Sequence, residues 1–212
     1  MKRIGILIVV ALSVTPCGWG KERMTPETFA YKQVGDLTIH LDVYRRGPES
    51  PQPVIVWIHG GALIVGDRGG IRTDQLELYL NAGYVVVSID YRLAPETKLP
   101  DIVADVRDAL GWVRQKGPAE IGIDPNRIAV IGHSAGGYLT LMSGSLLDPP
   151  PKALVSFYGY GDIIGDWYAK PDPHYLQQEK VPEAAALASV GEVEISGATQ
   201  SQDRFKFYLW CR

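Results

Sequence analysis

Gly132-His133-Ser134-Ala135-Gly136-Gly137 is the stretch whose reading decides the fold. The apolar run Arg127-Ile128-Ala129-Val130-Ile131 precedes it, and the helix-like run Tyr138-Leu139-Thr140-Leu141-Met142 follows. Strand, Gly-x-Ser-x-Gly and helix in that order predict a sharp strand-to-helix turn with Ser134 at its apex. So tight a turn leaves almost no room for side chains beside the serine. Gly132 and Gly136 meet that demand, and Gly137 lets the helix pack closely. The serine hydroxyl would then stand at the top of a sheet, above a helix N-terminus. Ser134 is therefore the candidate catalytic nucleophile; the competing reading is a serine that only caps the helix.

Around this stretch the chain alternates strands and helices. Residues 29–33 and 37–44 flank a Gly35-Asp36 turn, and Leu37, Ile39, Leu41 and Val43 alternate with polar neighbours. That pattern predicts an antiparallel hairpin with one buried face. Residues 53–58 and 84–89 are continuous apolar runs, as in strands covered on both faces. Residues 75–82 read as a helix. In residues 101–116, Ile102, Val103, Val106, Ala109, Leu110 and Val113 recur at helical spacing, and Gly117-Pro118 stops the helix. Asp124-Pro125-Asn126 reads as a turn, and residues 153–158 as a further strand. The alternation predicts an α/β fold with a mostly parallel sheet. Residues 162–181 read as loop, and 182–190 and 201–212 as helices. This region is expected to form a helical, cap-like insertion over the active-site edge. Phe205, Phe207, Tyr208, Leu209 and Trp210 lead us to expect burial of the last helix on more than one side.

A second glycine-rich segment, His59-Gly60-Gly61-Ala62, directly follows the strand ending at Ile58. Acyl transfer develops negative charge on a carbonyl oxygen, and fixed backbone N–H groups stabilise it. Gly61 and Ala62, with Ala135 after the serine, are the candidate oxyanion-hole donors; Gly60 shapes the turn. A third segment, Asp90-Tyr91-Arg92-Leu93-Ala94-Pro95-Glu96, follows the next strand, and Arg92 is expected to pair with Asp90 or Glu96.

The order His-Gly-Gly, Asp-Tyr-Arg-Leu-Ala-Pro-Glu, Gly-His-Ser-Ala-Gly-Gly resembles the α/β-hydrolase superfamily. Within it the chain is similar to hormone-sensitive-lipase-like carboxylesterases and secreted xylan-esterase-type hydrolases. The resemblance covers the first hairpin to the strand at Ala153. It implies a serine esterase acting through an acyl-enzyme on small-molecule or polysaccharide-linked esters, without cofactor or metal. It also implies that His59 and Asp90 are structural supports. A prolyl-oligopeptidase-like peptidase elbow can read Gly-x-Ser-x-Gly-Gly too, but the Asp-Tyr-Arg-Leu-Ala-Pro-Glu segment favours esterases.

In this fold the serine is followed by an acid and then a histidine. Downstream of Ser134 the sequence offers Asp162 as an acid and His174 as a substitute base. The alternatives are an Asx turn and a surface histidine. His133 reads as packing and His40 as exposed on the hairpin's polar face. Trp57, Trp112, Tyr158 and Tyr160 read as core or rim aromatics, and residues 166–168 as possible pocket lining. The spacing leads us to expect the true acid and histidine beyond Arg212, in a longer chain. A catalytically inactive binding protein is the alternative.

Charge and composition exclude other classes. Of 212 residues, 46% are apolar and 21% charged, with a net charge of −3. That is an ordinary globular balance with no basic stripe, so no nucleic-acid partner is expected. Lys2 and Arg3, the apolar residues 4–14, and Gly18 and Gly20 read as a signal peptide over residues 1–20. A secreted or periplasmic protein without a membrane span after cleavage is expected. Cys17 and Cys211 are the only cysteines, so no disulfide framework or thiolate metal site is expected.

Overall fold

The computed structural model describes residues 24–47, 51–161, 170, 173–197 and 201–212. The expected signal peptide, Asp162 and residues 166–168 lie outside them. Six strands are described: β1 (Glu27–Val34), β2 (Leu37–Tyr44), β3 (Gln52–Ile58), β4 (Val85–Ile89), β5 (Ile123–His133) and β6 (Ala153–Phe157). They form one sheet in the order β1-β2-β4-β3-β5-β6. β1–β2 and β2–β4 are antiparallel, and β4–β3–β5–β6 run parallel. The α/β-hydrolase arrangement expected from the sequence is therefore present, hairpin included.

β3 shows how a continuous apolar run serves two faces. Val54, Val56 and Ile58 enter one core, while Ile55 and Trp57 enter the other. The first core is closed by α2 (Leu99–Gln115), whose Ile102, Val106, Ala109, Leu110 and Val113 are fully buried, and by Leu139 of α4 (Ala135–Ser143). The second is closed by Leu76 and Leu80 of α1 (Thr73–Asn81). Burying such side chains stabilises by about 1.5–3 kcal/mol each, which fixes the strand register.

Three expectations are corrected here. β2 buries both faces: Asp42 and Tyr44 are buried along with Leu41 and Val43. Arg68 covers Asp42 through a 2.9 Å bond from Nε, and Tyr44 joins the second core. His40 is accordingly half-buried rather than exposed, and its carbonyl accepts the Asp90 N–H. Gly117-Pro118 ends α2 but also opens a short helix, α3 (Gly117–Ile121). The Asp124-Pro125-Asn126 turn lies within β5, where Asn126 N–H donates to Asp124 Oδ1 at 2.8 Å and the register shifts against β3.

The later residues form α5 (Pro173–Leu176), α6 (Glu183–Leu187) and α7 (Ser201–Cys211). The aromatics of α7 do not drive its burial as expected: Phe205 is 38% and Trp210 41% exposed. Phe205 stacks on Tyr208 and Phe207 leans on Trp210, while Tyr208 also meets Tyr175 of α5 edge-on. Among the described side chains of α7 the buried one is Arg204.

Candidate active site

The parallel register places three motifs on one edge. Ile58 pairs with both Ile89 and Gly132, so β3, β4 and β5 end level. His59, Asp90 and Ser134 follow those ends directly, at the carboxyl edge where open α/β sheets place their sites.

Ser134 has φ 54° and ψ −120°, a conformation that L-residues rarely adopt. The elbow is held by backbone contacts that exclude side chains. A Cβ on Gly132 would lie 2.2 Å from Gly136 O, and one on Gly136 would lie 2.2 Å from Ile58 O. The Ser134 N–H donates to Phe157 O at 2.9 Å, which ties the elbow to β6. The side chain of Ser134 makes no capping bond to α4, so the helix-cap reading fails. Gly137 packs on Gly159, where a Cβ would meet Gly137 C at 2.5 Å. The sequence reading gives Gly159 no role, although a glycine two residues beyond the end of β6 is the signal that could mark it.

The His59-Gly60-Gly61-Ala62 loop runs against this elbow. A Cβ on Gly60 would lie 3.3 Å from Ser134 Cβ and 2.7 Å from His133 O. Gly61 has φ 109°, and its carbonyl accepts from Ile64 N and Val65 N at 2.9 and 3.0 Å. Ala62 and Leu63 follow at φ 55° and 65°. Among the described residues no acceptor meets the N–H groups of Gly61, Ala62 or Ala135. A donor reserved for a ligand oxygen must be free in this way.

His59 is a support. It is 2% exposed, its ring stacks on Tyr91 at 4.2 Å, and the Tyr91 hydroxyl donates to His59 O at 3.0 Å. Nδ1 donates to Gly60 O at 2.7 Å, which leaves the buried Nε2 without a partner. Burial pushes its pKa down to about 4, so the ring is neutral at pH 7. Gly66, at φ 103°, is required beside it, because a Cβ there would lie 2.6 Å from His59 Nδ1.

Asp90 holds the neighbouring loop. Its Oδ1 accepts the Arg68 N–H at 2.7 Å, and its Oδ2 pairs with the Arg68 guanidinium. Burial raises the carboxyl to about 6 against the pull of Arg68, and it is ionised at pH 7. The expected pairing of Arg92 with Asp90 or Glu96 is not found. Arg92 binds the fully buried Asp105 through Nε (2.8 Å) and Nη2 (2.9 Å), and Glu194 through Nη1. Glu96 is taken by Arg204, at 2.8 Å to each carboxylate oxygen. The reason is geometric: Asp90 turns towards Arg68 beneath β2, while α2 presents Asp105 to the other side of the loop.

A cavity of about 420 Å³ adjoins the elbow, lined by Trp57, Gly60, Gly61, Arg72, His133 and Tyr158 among others. His133 packs on Phe157 at 4.8 Å and near Trp57 at 6.1 Å, which bears out its packing role. Trp57 and Trp112 are buried, whereas Tyr158 is 76% exposed at the rim. His174 lies exposed on α5, in contact with Tyr175 and Gln178. Among the described residues no histidine hydrogen-bonds to Ser134.

The chain is similar to several known proteins. The chain is 34% identical to a thermophilic esterase of Thermogutta terrifontis solved with propionate bound, with a TM-score of 0.51, over 56% of this chain and 44% of that one. An α/β-hydrolase superfamily protein from Enterococcus faecalis superposes with a TM-score of 0.69 at 25% identity, over 88% of this chain and 64% of that one. The non-reducing polyketide synthase Preu6 of Preussia isomera is 39% identical over 155 residues, which is 68% of this chain but 7% of the synthase. The chain thus spans only part of each of these proteins. The family model BD-FAE matches residues 41–150, half of the chain, and the protein belongs to this esterase-like family of α/β-hydrolases.

Proposed function

We propose that the protein is a secreted serine carboxylesterase with Ser134 as its nucleophile. The observation that carries this reading is Ser134 itself. It sits at a strained apex with its hydroxyl uncommitted among the described residues, against a glycine loop whose Gly61 and Ala62 N–H groups meet no acceptor among them. Strain of this kind costs about 1–3 kcal/mol and persists where surrounding structure over-determines it. Ser134 Oγ attacks the ester carbonyl carbon while a base takes its proton. The N–H groups of Gly61, Ala62 and Ala135 receive the oxyanion. The base returns the proton to the leaving alcohol, and water then hydrolyses the acyl-Ser134. The reading needs no metal or cofactor.

Among the described residues no histidine hydrogen-bonds to Ser134, so the reading places the base and its acid in a part of the fold that this chain does not cover. The Enterococcus relative, of which this chain spans 64%, leaves room for them. The propionate in the Thermogutta esterase supports a short acyl group, and the cavity beside Gly60 would receive one side of the ester. Residues 162–212 are read as a cap over this edge. Export rests on Lys2, Arg3 and the apolar residues 4–14.

That no described histidine hydrogen-bonds to Ser134 favours one other reading, a hydrolase-like binding protein. Assays on p-nitrophenyl esters of short acids separate the two. Esterase turnover that disappears in Ser134→Ala supports the proposal, whereas an inactive full-length protein that still binds the ester supports the alternative.

A further inference from the structure

Arg204 stands on α7, far along the chain from the loop that faces Ser134, yet it reaches directly into that loop. It is only 7% exposed. Its Nε donates to Ile64 O at 2.9 Å and its Nη2 to Ala94 O at 2.9 Å. Both nitrogens of its fork also bind the Glu96 carboxylate, and Nη1 donates to Ser189 O at 3.0 Å.

The carbonyls it holds belong to two segments that are already laced together. Ala94 N–H donates to Leu63 O at 2.8 Å, and Ile64 and Val65 N–H close the turn on Gly61 O. Between these ties lie Ala62 and Leu63, both in left-handed backbone. Non-glycine residues resist that conformation, so the turn needs an external hold. A planar guanidinium suits the task, because it bridges two carbonyls and a carboxylate in one fixed geometry.

We infer that Arg204, fixed by Glu96, is a positioning residue that sets the conformation of residues 61–65 and so aims the Gly61 and Ala62 N–H groups. The catalytic part of this inference rests on the esterase reading; the positioning part does not. Arg204 touches no reacting atom and acts through the Ile64 and Ala94 carbonyls.

The test uses the full-length protein and the variants Arg204→Met, Arg204→Lys and Glu96→Gln, each compared at equal folded fraction. Hydrogen exchange is read at the amides of Ile64, Val65 and Ala94, with Val54 and Val56 of β3 as internal controls. Turnover of p-nitrophenyl propionate is read as separate kcat and KM. In Arg204→Met the three loop amides should exchange about ten- to a hundredfold faster, as on loss of a charge-assisted hydrogen bond, with the β3 amides unchanged. A small misplacement of donors costs about 10²-fold in rate, and here it should appear in kcat rather than KM. Arg204→Lys, which keeps the charge but cannot bridge both carbonyls, should recover part of the protection. If Arg204→Met fails to fold, Arg204→Lys and Glu96→Gln carry the same readings in milder form. Loop exchange that does not change, or that rises only together with the β3 amides, overturns the inference. A full-length wild type without turnover, but with the selective loop effect, refutes the esterase reading and leaves the positioning role standing.

Discussion

The elbow and the α7 clasp are built in opposite ways along the same edge of the sheet. At the elbow, Gly60, Gly132, Gly136 and Gly137 let backbone touch backbone, and any added Cβ would collide. At the clasp, Arg204 and Glu96 bridge the gap with long, buried, charged side chains. The first is short-range and steric; the second joins residues about a hundred positions apart by ion pairing. Glycine contacts tolerate no variation, whereas an ionic clasp can be loosened by degrees. The geometry of Ser134 is thus hard-wired, and the geometry of the loop facing it can be tuned.

The sharpest way to break this comparison is at the elbow. Gly136→Ala places a methyl 2.2 Å from Ile58 O, against backbone that cannot yield. A loss of about 4 kcal/mol or more is expected, a large part of a domain's stability, and urea unfolding or soluble yield will report it. At the clasp, Arg204→Met leaves a buried Glu96 carboxylate without its cation. A local loss of about 1.4–2.7 kcal/mol is expected there, the equivalent of the ten- to hundredfold faster loop exchange, in the opening of α7 and the loop rather than of the sheet. Adding Glu96→Gln to that variant should recover part of the loss, because the stranded charge is gone. An Arg204→Met loss that Glu96→Gln does not reduce would mean that the two residues act independently.

This contrast also explains what could be read in the sequence. Glycine spacing and apolar periodicity are local, so the elbow, β3, α2 and the His59 loop were legible. Ion pairs between distant positions leave no periodic trace. Arg92 therefore found Asp105 and Glu194 rather than its neighbours in sequence, and Arg204 carried no signal at all. Asp42 read as a solvent-facing residue because nothing nearby announced that Arg68 would fold over it. The dense aromatics of α7 suggest burial on more than one side, yet Phe205 and Trp210 stay exposed and it is Arg204 that enters the neighbouring loop.

A third test sharpens the elbow side through pH. His59 titrates at about 4 when folded and near 6.5 when unfolded. Its contribution is present above pH 6.5 and is lost as pH falls to 4, because only the unfolded chain takes the proton. That window corresponds to about 3 kcal/mol. Asp90, raised to about 6, acts with the opposite sign, favouring the fold as pH drops below 6. Comparing wild type with His59→Gln cancels Asp90. The stability difference between them should shrink by about 3 kcal/mol from pH 7 to pH 4, and parallel curves would contradict the buried neutral ring.

The smallest expected effect lies between the two regions. Ala62 occupies left-handed backbone, where glycine is at ease. Ala62→Gly should stabilise by about 1 kcal/mol in thermal unfolding, and no change would mean that the turn is not strained there.

If Ser134 is the nucleophile, as proposed, covalent labelling will find it. Full-length protein treated with a fluorophosphonate, then digested and analysed by mass spectrometry, should carry the adduct on Ser134 and lose it in Ser134→Ala. An adduct that persists in Ser134→Ala, or a Ser134 that stays unmodified in the folded full-length protein, would contradict the proposal.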